Sequence, residues 1–148
     1  MKILIVNGPN MNMIGKREPS VYGEETLGDM HDKILQEAEL QGIDVVLFQS
    51  NHEGEIIDRI HAASLDGIDC MIVNPAGYTH TSVAIRDAIL CVGIPFIEVH
   101  LSNTAAREPF RHRNLFSDIA VGTIAGLGVM GYILALRALK ELYGNPTE

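Results

Sequence analysis

Two side chains with complementary proton chemistry lie two positions apart in the apolar segment 95–100. On a β-strand, Glu98 and His100 would point to the same side, because side chains alternate along a strand. A carboxylate beside a histidine stabilises the protonated ring and fixes its orientation. The spacing therefore predicts a histidine prepared to act as a general acid.

A second pair lies in the segment 10–24, which has no clear hydrophobic periodicity and is punctuated by glycine and proline. A loop of this length inside a compact domain is commonly a lid or a binding loop. It carries Arg17 and Tyr22. A phenol loses its proton in water only near pH ~10, but a neighbouring guanidinium favours the phenolate, which can then serve as a base. Without that partner, Tyr22 would be read as an ordinary loop aromatic residue.

Polar groups also follow the buried apolar run 70–74. The run stops at Asn74, a turn with proline and glycine follows, and His80 precedes a helix start rich in hydroxyl groups. Ligands of open α/β sheets bind outside the carboxyl ends of the strands. His52, His80 and His100 each follow a predicted strand, so we expect them at one edge of the sheet. Each alone could serve structure instead, and no pair has the spacing of a metal motif.

Positive charge is scarce but clustered. Lys16 and Arg17 lie in the first loop, and Arg107, Arg111 and Arg113 follow the fourth predicted strand. Both segments border the same edge of the predicted sheet. One interpretation is a solvated surface. The other is a site for a small anion, with backbone amides after the fourth strand pointing at a carboxylate.

Strands alternate with helices along the chain. The predicted strands are 2–7, 44–49, 70–74, 95–100 and 119–122. Four helices are predicted. The first is capped by Thr26 and ends at Gly42, and the second has its apolar positions over 56–63 and ends at Gly67. The third opens in the segment 79–82 and ends at Gly93, and the fourth covers 127–143. This alternation predicts a parallel, right-handed, doubly wound α/β sheet.

Three glycines near the last helix match the spacing of a dinucleotide-binding fingerprint. Gly126, Gly128 and Gly131 have that spacing, but the fingerprint also needs a following strand and an acidic residue ~20 positions on. The sequence has no room for that strand. We therefore expect these glycines to let a helix pack closely. The first turns of this helix are apolar nearly all round, which predicts burial or a subunit contact.

Composition narrows the class of protein. The chain has 148 residues, 47% of them hydrophobic and 20% charged, which suits one domain with a proper core. A formal charge of −8 argues against nucleic acid or an anionic membrane as the main partner. No apolar run reaches the ~18 residues of a spanning helix, and the first apolar run is too short for a signal peptide. Cys70 and Cys91 are expected to be buried free thiols, as in a reducing cytoplasm.

Four motifs together resemble those of the type II 3-dehydroquinate dehydratase family. They are Asn-Gly-Pro-Asn at 7–10, Arg-Glu-Pro-Ser-Val-Tyr-Gly at 17–23, Asn-Pro-Ala-Gly-Tyr-Thr-His-Thr-Ser at 74–82, and Ile-Glu-Val-His-Leu-Ser-Asn at 97–103. The resemblance implies a flavodoxin-like fold with strand order 2-1-3-4-5 in three α/β/α layers, and one domain over 1–148 with a lid at about 11–24. It implies dehydration of 3-dehydroquinate to 3-dehydroshikimate in the shikimate pathway, through an enolate and without a cofactor or metal. It also implies a homododecamer built from trimers.

The resemblance assigns a role to each matching residue. Tyr22 would take the C2 proton next to the ketone, with Arg17 holding it as phenolate, and Asn10 would position a water that stabilises the enolate. His100, backed by Glu98, would protonate the leaving C1 hydroxyl. The residues implied to bind substrate are Asn74, His80, Leu101, Ser102 and Arg111, with Arg107 in a second lid segment and Asp87 reaching the site of a neighbouring subunit.

The chemistry is coherent without the family name, because loss of water beta to a ketone needs a base, an enolate stabiliser and an acid. A Schiff-base route is disfavoured, since no lysine follows a predicted strand. The competing class is a flavodoxin-like receiver or flavin-binding module. A receiver would need clustered acids after the first strand, and a flavin binder would need a hydroxyl-rich phosphate loop there. The segment 7–10 offers neither.

Overall fold

The structure is a computed structural model that describes residues 1–16 and 18–144, with only the backbone of Tyr22 included. Five strands form its sheet: β1 (Lys2–Asn7), β2 (Asp44–Gln49), β3 (Cys70–Asn74), β4 (Phe96–His100) and β5 (Gly122–Ala125). All neighbouring pairs are parallel and the order is β2-β1-β3-β4-β5. The predicted parallel, doubly wound sheet and its order are confirmed.

Helices cover both faces of the sheet. They are α1 (Pro19–Tyr22), α2 (Leu27–Gln41), α3 (Glu53–Ala63), α4 (Val83–Val92) and α5 (Met130–Tyr143). Side chains alternate along β1, so Ile3 and Ile5 join the core under α2 and α5, whereas Leu4 and Val6 join the core under α3 and α4. The result is the expected three-layer α/β/α arrangement, with the inner strands buried on both faces.

The capping residue of α2 and the glycines that end α2 and α4 are those predicted from the sequence. Thr26 caps α2 in a reciprocal capping box with Asp29, and the hydrogen bonds from Thr26 hold the pKa of the Asp29 carboxyl below its ordinary value. Gly42 and Gly93 end α2 and α4 in the left-handed conformation, each with φ of 66°.

The end of α3 differs from the prediction. The helix stops at Ala63 instead of continuing to Gly67, because the next residues form a tighter turn in which the N–H groups of Leu65 and Asp66 both donate to the carbonyl of Ala62. Gly67 closes that turn with φ of 69°, and the N–H of the next residue, Ile68, donates back to the carbonyl of Ala63. The glycine therefore ends the turn and not the helix.

The last strand and the last helix both begin three residues later than expected. Ile119 and Ala120 form a turn on the carbonyl of Phe116 and pack against the core, so β5 starts only at Gly122. The segment 126–129 is a second turn, in which Gly126 and Gly128 have φ of 88° and 57°. Gly131 is the one of the three that lies in α5 and has the predicted role, since a Cβ there would lie 3.2 Å from Val99 Cγ1. Gly126 instead packs closely against a loop, because a Cβ there would lie 3.1 Å from Asn103 Cβ.

The loop 11–24 is more structured than its sequence indicates. Residues Met11–Met13 form a 3₁₀ turn and α1 covers Pro19–Tyr22. Met11 and Ile14 are buried in the core under α2 and α5, whereas a loop without packing positions was expected. Two apolar residues three positions apart are too short a pattern for periodicity to reveal them. Whether 11–24 acts as a lid remains a prediction.

The two cysteines differ in burial. Cys70 is buried in β3, as expected, and burial raises the pKa of its thiol to about 11. Cys91 is exposed, so the expectation of a buried thiol is wrong there, because Cys91 lies on the outer face of the amphipathic helix α4. Within residues 1–16 and 18–144, no helix is long and apolar enough to cross a membrane.

Candidate active site

A cavity lies at the carboxyl ends of β1, β3 and β4, where the sheet topology predicts a ligand site. Eight predicted site residues line it: Asn10, Asn74, His80, His100, Leu101, Ser102, Arg107 and Arg111. These residues come from segments far apart in the sequence, and the shared direction of the parallel strands brings them to one edge.

Glu98 and His100 form a buried polar contact at the wall of this site. The Nε2–H of His100 donates to Glu98 Oε1 at 2.6 Å, and the two residues are 6% and 0% exposed. His100 lines the cavity, whereas Glu98 lies behind it. Because Nε2 is used by the carboxylate, Nδ1 is the ring nitrogen left for a group in the cavity. The predicted same-face pair on β4 is confirmed as a contact.

Two residues that sequence reasoning missed hold the Glu98 carboxylate. Asn114 Nδ2 donates to Oε1 at 2.6 Å, and Thr123 Oγ1 donates to Oε2 at 3.1 Å. Thr123 is the partner of Glu98 in the register of β4 and β5, so a correct position for β5 would have indicated it. Together with His100, these two donors occupy both oxygens of Glu98 and fix the position of the carboxylate behind the ring.

Asn10 follows β1 in the left-handed conformation, with φ of 66°. Its N–H donates to Asn51 Oδ1 at 2.9 Å, and Gln49 Nε2 donates to the same oxygen at 3.2 Å. Asn51 comes directly after β2, and no sequence pattern marks it as a partner of Asn10. Through this contact, the end of β2 fixes a strained backbone position at the cavity.

Asn74 and His80 are each fixed by a specific partner. Asn74 Nδ2 donates to Tyr132 Oη at 2.9 Å, and Asn74 Oδ1 accepts from the N–H of Ala76 at 3.1 Å. His80 Nδ1 donates to the carbonyl of Arg113 at 2.6 Å, which leaves Nε2 as an acceptor in a neutral ring. Both side chains therefore have restricted orientations before any ligand enters.

Arg107 and Arg111 supply positive charge to the cavity, whereas Lys16 and Arg113 do not line it. Arg111 pairs with Glu108, and this hydrogen bond holds the pKa of the Glu108 carboxyl below its ordinary value. Arg107 Nη2 lies 3.6 Å from Glu18 Oε1, at the start of α1. Two of the predicted basic residues therefore line the cavity, and an anion site there stays a prediction.

Some predicted residues are not in the cavity of this chain. Asp87 is exposed on α4, and His52 is exposed after β2. Arg17 lies outside the described residues, as does the side chain of Tyr22. In the part of the chain that the structure describes, no three His, Cys, Asp or Glu side chains are grouped to hold a metal ion.

The fold and the cavity define a flavodoxin-like α/β protein with a polar cavity, lined by histidine, asparagine and arginine, at the carboxyl edge of its sheet. A family model described as dehydroquinase class II matches residues 1–140. The chain belongs to this family.

Two relatives and a solved structure agree with that assignment. The chain is 59% identical to a 3-dehydroquinate dehydratase from Marinobacter nauticus, over 94% of this chain and 95% of that one. It is 56% identical to a 3-dehydroquinate dehydratase from Legionella pneumophila, over 95% and 98%. The crystal structure of type II dehydroquinase from Butyrivibrio crossotus superposes with a TM-score of 0.93 at 45% identity, covering 95% of this chain and 97% of that one.

Proposed function

We propose that this chain is a type II 3-dehydroquinate dehydratase, a hydro-lyase of the shikimate pathway that converts 3-dehydroquinate to 3-dehydroshikimate and water. The observation that carries the proposal is the buried contact between Glu98 and His100 at the cavity wall. A carboxylate-backed histidine is the group needed to protonate a departing hydroxyl. The near full-length identity to relatives of that name supports the same reaction.

The reaction removes a proton from C2 and a hydroxyl from C1, on either side of the new double bond. Tyr22, ionised beside Arg17, takes the C2 proton, and the electrons of that C–H bond move into an enolate at the C3 ketone. A water held by Asn10 stabilises the enolate oxygen. The enolate then forms the C1–C2 double bond as the C1–O bond breaks, and His100 gives its proton to the leaving hydroxyl. Tyr22 has gained one proton and His100 has lost one, and exchange with solvent restores both.

The remaining polar groups bind and orient the substrate in this proposal. Arg107 and Arg111 suit its negative charge, and the backbone after β4 at Leu101 and Ser102 offers N–H groups to a carboxylate. Asn74 and His80 suit its hydroxyl groups. Several contacts that converge on a small polar ligand convert a slow elimination into one between prepositioned groups.

Arg107 would join two segments of the site. Its contact with Glu18 links the segment after β4 to the start of α1, which supports one closing unit made of 11–24 and the neighbourhood of Arg107. Closure would exclude water from the enolate.

Asp87 is proposed to serve a neighbouring subunit. It is exposed on α4, outside the cavity of its own chain. The assembly that suits this role is a trimer, and the family motifs favour a homododecamer built from trimers, without cofactor or metal, in the cytoplasm.

Chelators, and borohydride added with substrate, are expected to leave turnover unchanged.

The test is the appearance of an enone. The product has a carbon–carbon double bond conjugated to the ketone, so its ultraviolet absorbance rises as 3-dehydroquinate is consumed. The purified chain should generate this absorbance in proportion to its concentration. Absence of enone, together with visible flavin absorbance or acceptance of a phosphoryl group, would favour the binding or receiver module instead.

A further inference from the structure

Tyr132 lies on the inner face of α5 and is fully buried. Its hydroxyl donates to Asn7 Oδ1 at 2.5 Å and accepts a hydrogen bond from Asn74 Nδ2 at 2.9 Å. Asn7 and Asn74 are the last residues of β1 and β3 and are partners in the sheet register. Tyr132 does not line the cavity, but Asn74 does. The phenol therefore connects the last helix to two strand ends beneath the site.

The direction of each hydrogen bond in this network is set by chemistry. The N–H of Ala76 can only donate, so it fixes Oδ1 as the end of the Asn74 amide that faces it. Nδ2 of Asn74 therefore faces Tyr132 and donates to the phenol oxygen. The phenol hydrogen is left for Asn7 Oδ1. Loss of the hydroxyl would take the phenol donor from Asn7 Oδ1 and leave Asn74 Nδ2 with only the weak sulfur acceptor of Met11, at 3.6 Å. Within the core, a poorly satisfied polar group is costly.

The phenol is suited to this bridging role across a wide pH range. Burial raises the pKa of Tyr132 well above its ordinary value, and the hydrogen bond from Asn74 opposes that rise only in part. Tyr132 consequently stays a neutral hydroxyl that donates once and accepts once.

The turn beyond Asn74 depends on the same amide. Ala76 has a φ of 52°, which is strained for a residue with a side chain, and its N–H is held by Asn74 Oδ1. Space is limited here, since a Cβ on Gly8 would lie 2.4 Å from the carbonyl oxygen of Pro75. Ala76 and Gly77 both line the cavity. The orientation of the Asn74 amide thus controls part of the cavity wall.

We infer that Tyr132 is a positioning residue of the active site, which fixes the Asn74 amide and, through it, the Ala76 turn. This inference rests on the proposed function, because Asn74 is there a substrate-binding group. Tyr132 touches neither the substrate nor the reacting atoms. Its hydroxyl should therefore affect how well the substrate is held, and affect the chemical step little.

The test replaces Tyr132 by phenylalanine, which removes only the hydroxyl. Tyr132→Phe should raise KM for 3-dehydroquinate roughly fivefold, as expected for one lost hydrogen bond of ~1 kcal/mol, and change kcat less than about twofold. Tyr143→Phe is the matched control, because Tyr143 is exposed on the same helix, and its KM should be unchanged. A purely structural Tyr132 would lower Tm but leave KM of the folded enzyme at the wild-type value, which would overturn the inference.

A second measurement does not depend on turnover. Crystal structures of the wild type and Tyr132→Phe should differ in the orientation of the Asn74 amide or in the φ of Ala76. An unchanged Asn74 amide and Ala76 turn in the variant would contradict the inference, whether or not the wild type is active. An inactive wild type would reject the proposed function instead. If Tyr132→Phe does not fold, Asn7→Ala keeps the phenol and removes the side-chain amide that accepts its hydrogen. That variant should also raise KM, and an unchanged KM would count against the inference.

Discussion

Glu98 and His100 leave the same face of β4, and the imidazole meets the carboxylate at 2.6 Å inside the protein. Burial matters here because an ion pair between the two groups would be weakened by water at the surface. The carboxylate is held by Asn114 and Thr123 on its other sides, so it cannot turn away from the ring. The orientation of the His100 ring is therefore fixed, and with it the direction of Nδ1, the nitrogen left for a group in the cavity.

Replacing Tyr22 by phenylalanine should nearly abolish turnover while the fold and ligand binding are retained. General bases contribute ~10²- to 10⁴-fold, and phenylalanine keeps the ring without the proton acceptor. Enone formation measures turnover, and circular dichroism and product binding serve as controls. Near-normal turnover in a fully substituted preparation would remove Tyr22 as the base.

Mixing two inactive variants tests whether Asp87 serves a neighbouring site. Asp87→Ala keeps its own Tyr22, and Tyr22→Phe keeps its own Asp87. Random exchange of equal amounts into closed rings would give about a quarter of the sites both intact residues. Partial recovery of activity on mixing is therefore expected. If mass spectrometry verifies exchange and no activity returns, Asp87 acts within its own chain or not at all.

Two glycine substitutions should change stability in opposite directions. Gly131→Ala would bring a Cβ to 3.2 Å from Val99 Cγ1 and 3.4 Å from Ile124 Cγ2, so we expect a loss of ~1–3 kcal/mol. Gly54→Ala, in α3, meets nothing within 4 Å and should gain about 0.5 kcal/mol through a less flexible unfolded chain. Denaturant unfolding at one fixed protein concentration measures both. Equal changes in the two variants would rule out tight packing of α5 on β4.

Lowering the pH should weaken the ion pair between Glu37 of α2 and Arg137 of α5. Arg137 Nε and Nη2 donate to Glu37 Oε1 and Oε2 at 2.7 and 3.0 Å, and this pairing lowers the pKa of the Glu37 carboxyl from 4.5. A lowered folded-state pKa means that the contribution is full above about pH 4.5 and is lost as the pH falls through the lowered value. Glu37→Gln should therefore have a lower Tm than the wild type at pH 7, and the gap should close on acidification.

The control for this pH effect is Glu39→Gln, which makes the same charge change at an exposed position of α2. Its Tm difference from the wild type should be small throughout. If the Tm difference between Glu37→Gln and the wild type stays constant or widens as the pH falls, the ion pair is not the cause of that difference.

The sequence indicated the elements whose signals are local. β1 and β3 are continuous apolar runs, and α2 has a capping residue, a spaced apolar face and a terminal glycine. β5 was misplaced because three of its four residues are exposed, so it lacks an apolar run, whereas the apolar residues 119–120 before it pack into the core.

The candidate site also combines residues that local sequence signals indicate with residues that only tertiary contacts bring in. Asn74, His80 and His100 could be predicted because strand ends are recognisable and converge in a parallel sheet. Tyr132 could not, because it occupies an ordinary apolar position of a helix and meets Asn74 across 58 residues of sequence. Asn51 and Asn114 likewise act only through tertiary contacts, and an exposed or turn asparagine carries no pattern that would separate it from others.

The most direct test of the account is enone formation by His100→Gln. Glutamine retains hydrogen-bonding capacity but cannot carry the proton that the leaving hydroxyl requires, so turnover should fall ~10²-fold or more while Tm stays near the wild-type value. His112→Gln is the matched control, since His112 is exposed and outside the cavity, and it should be fully active. Near-normal enone formation by folded His100→Gln would contradict the assignment of His100 as the acid.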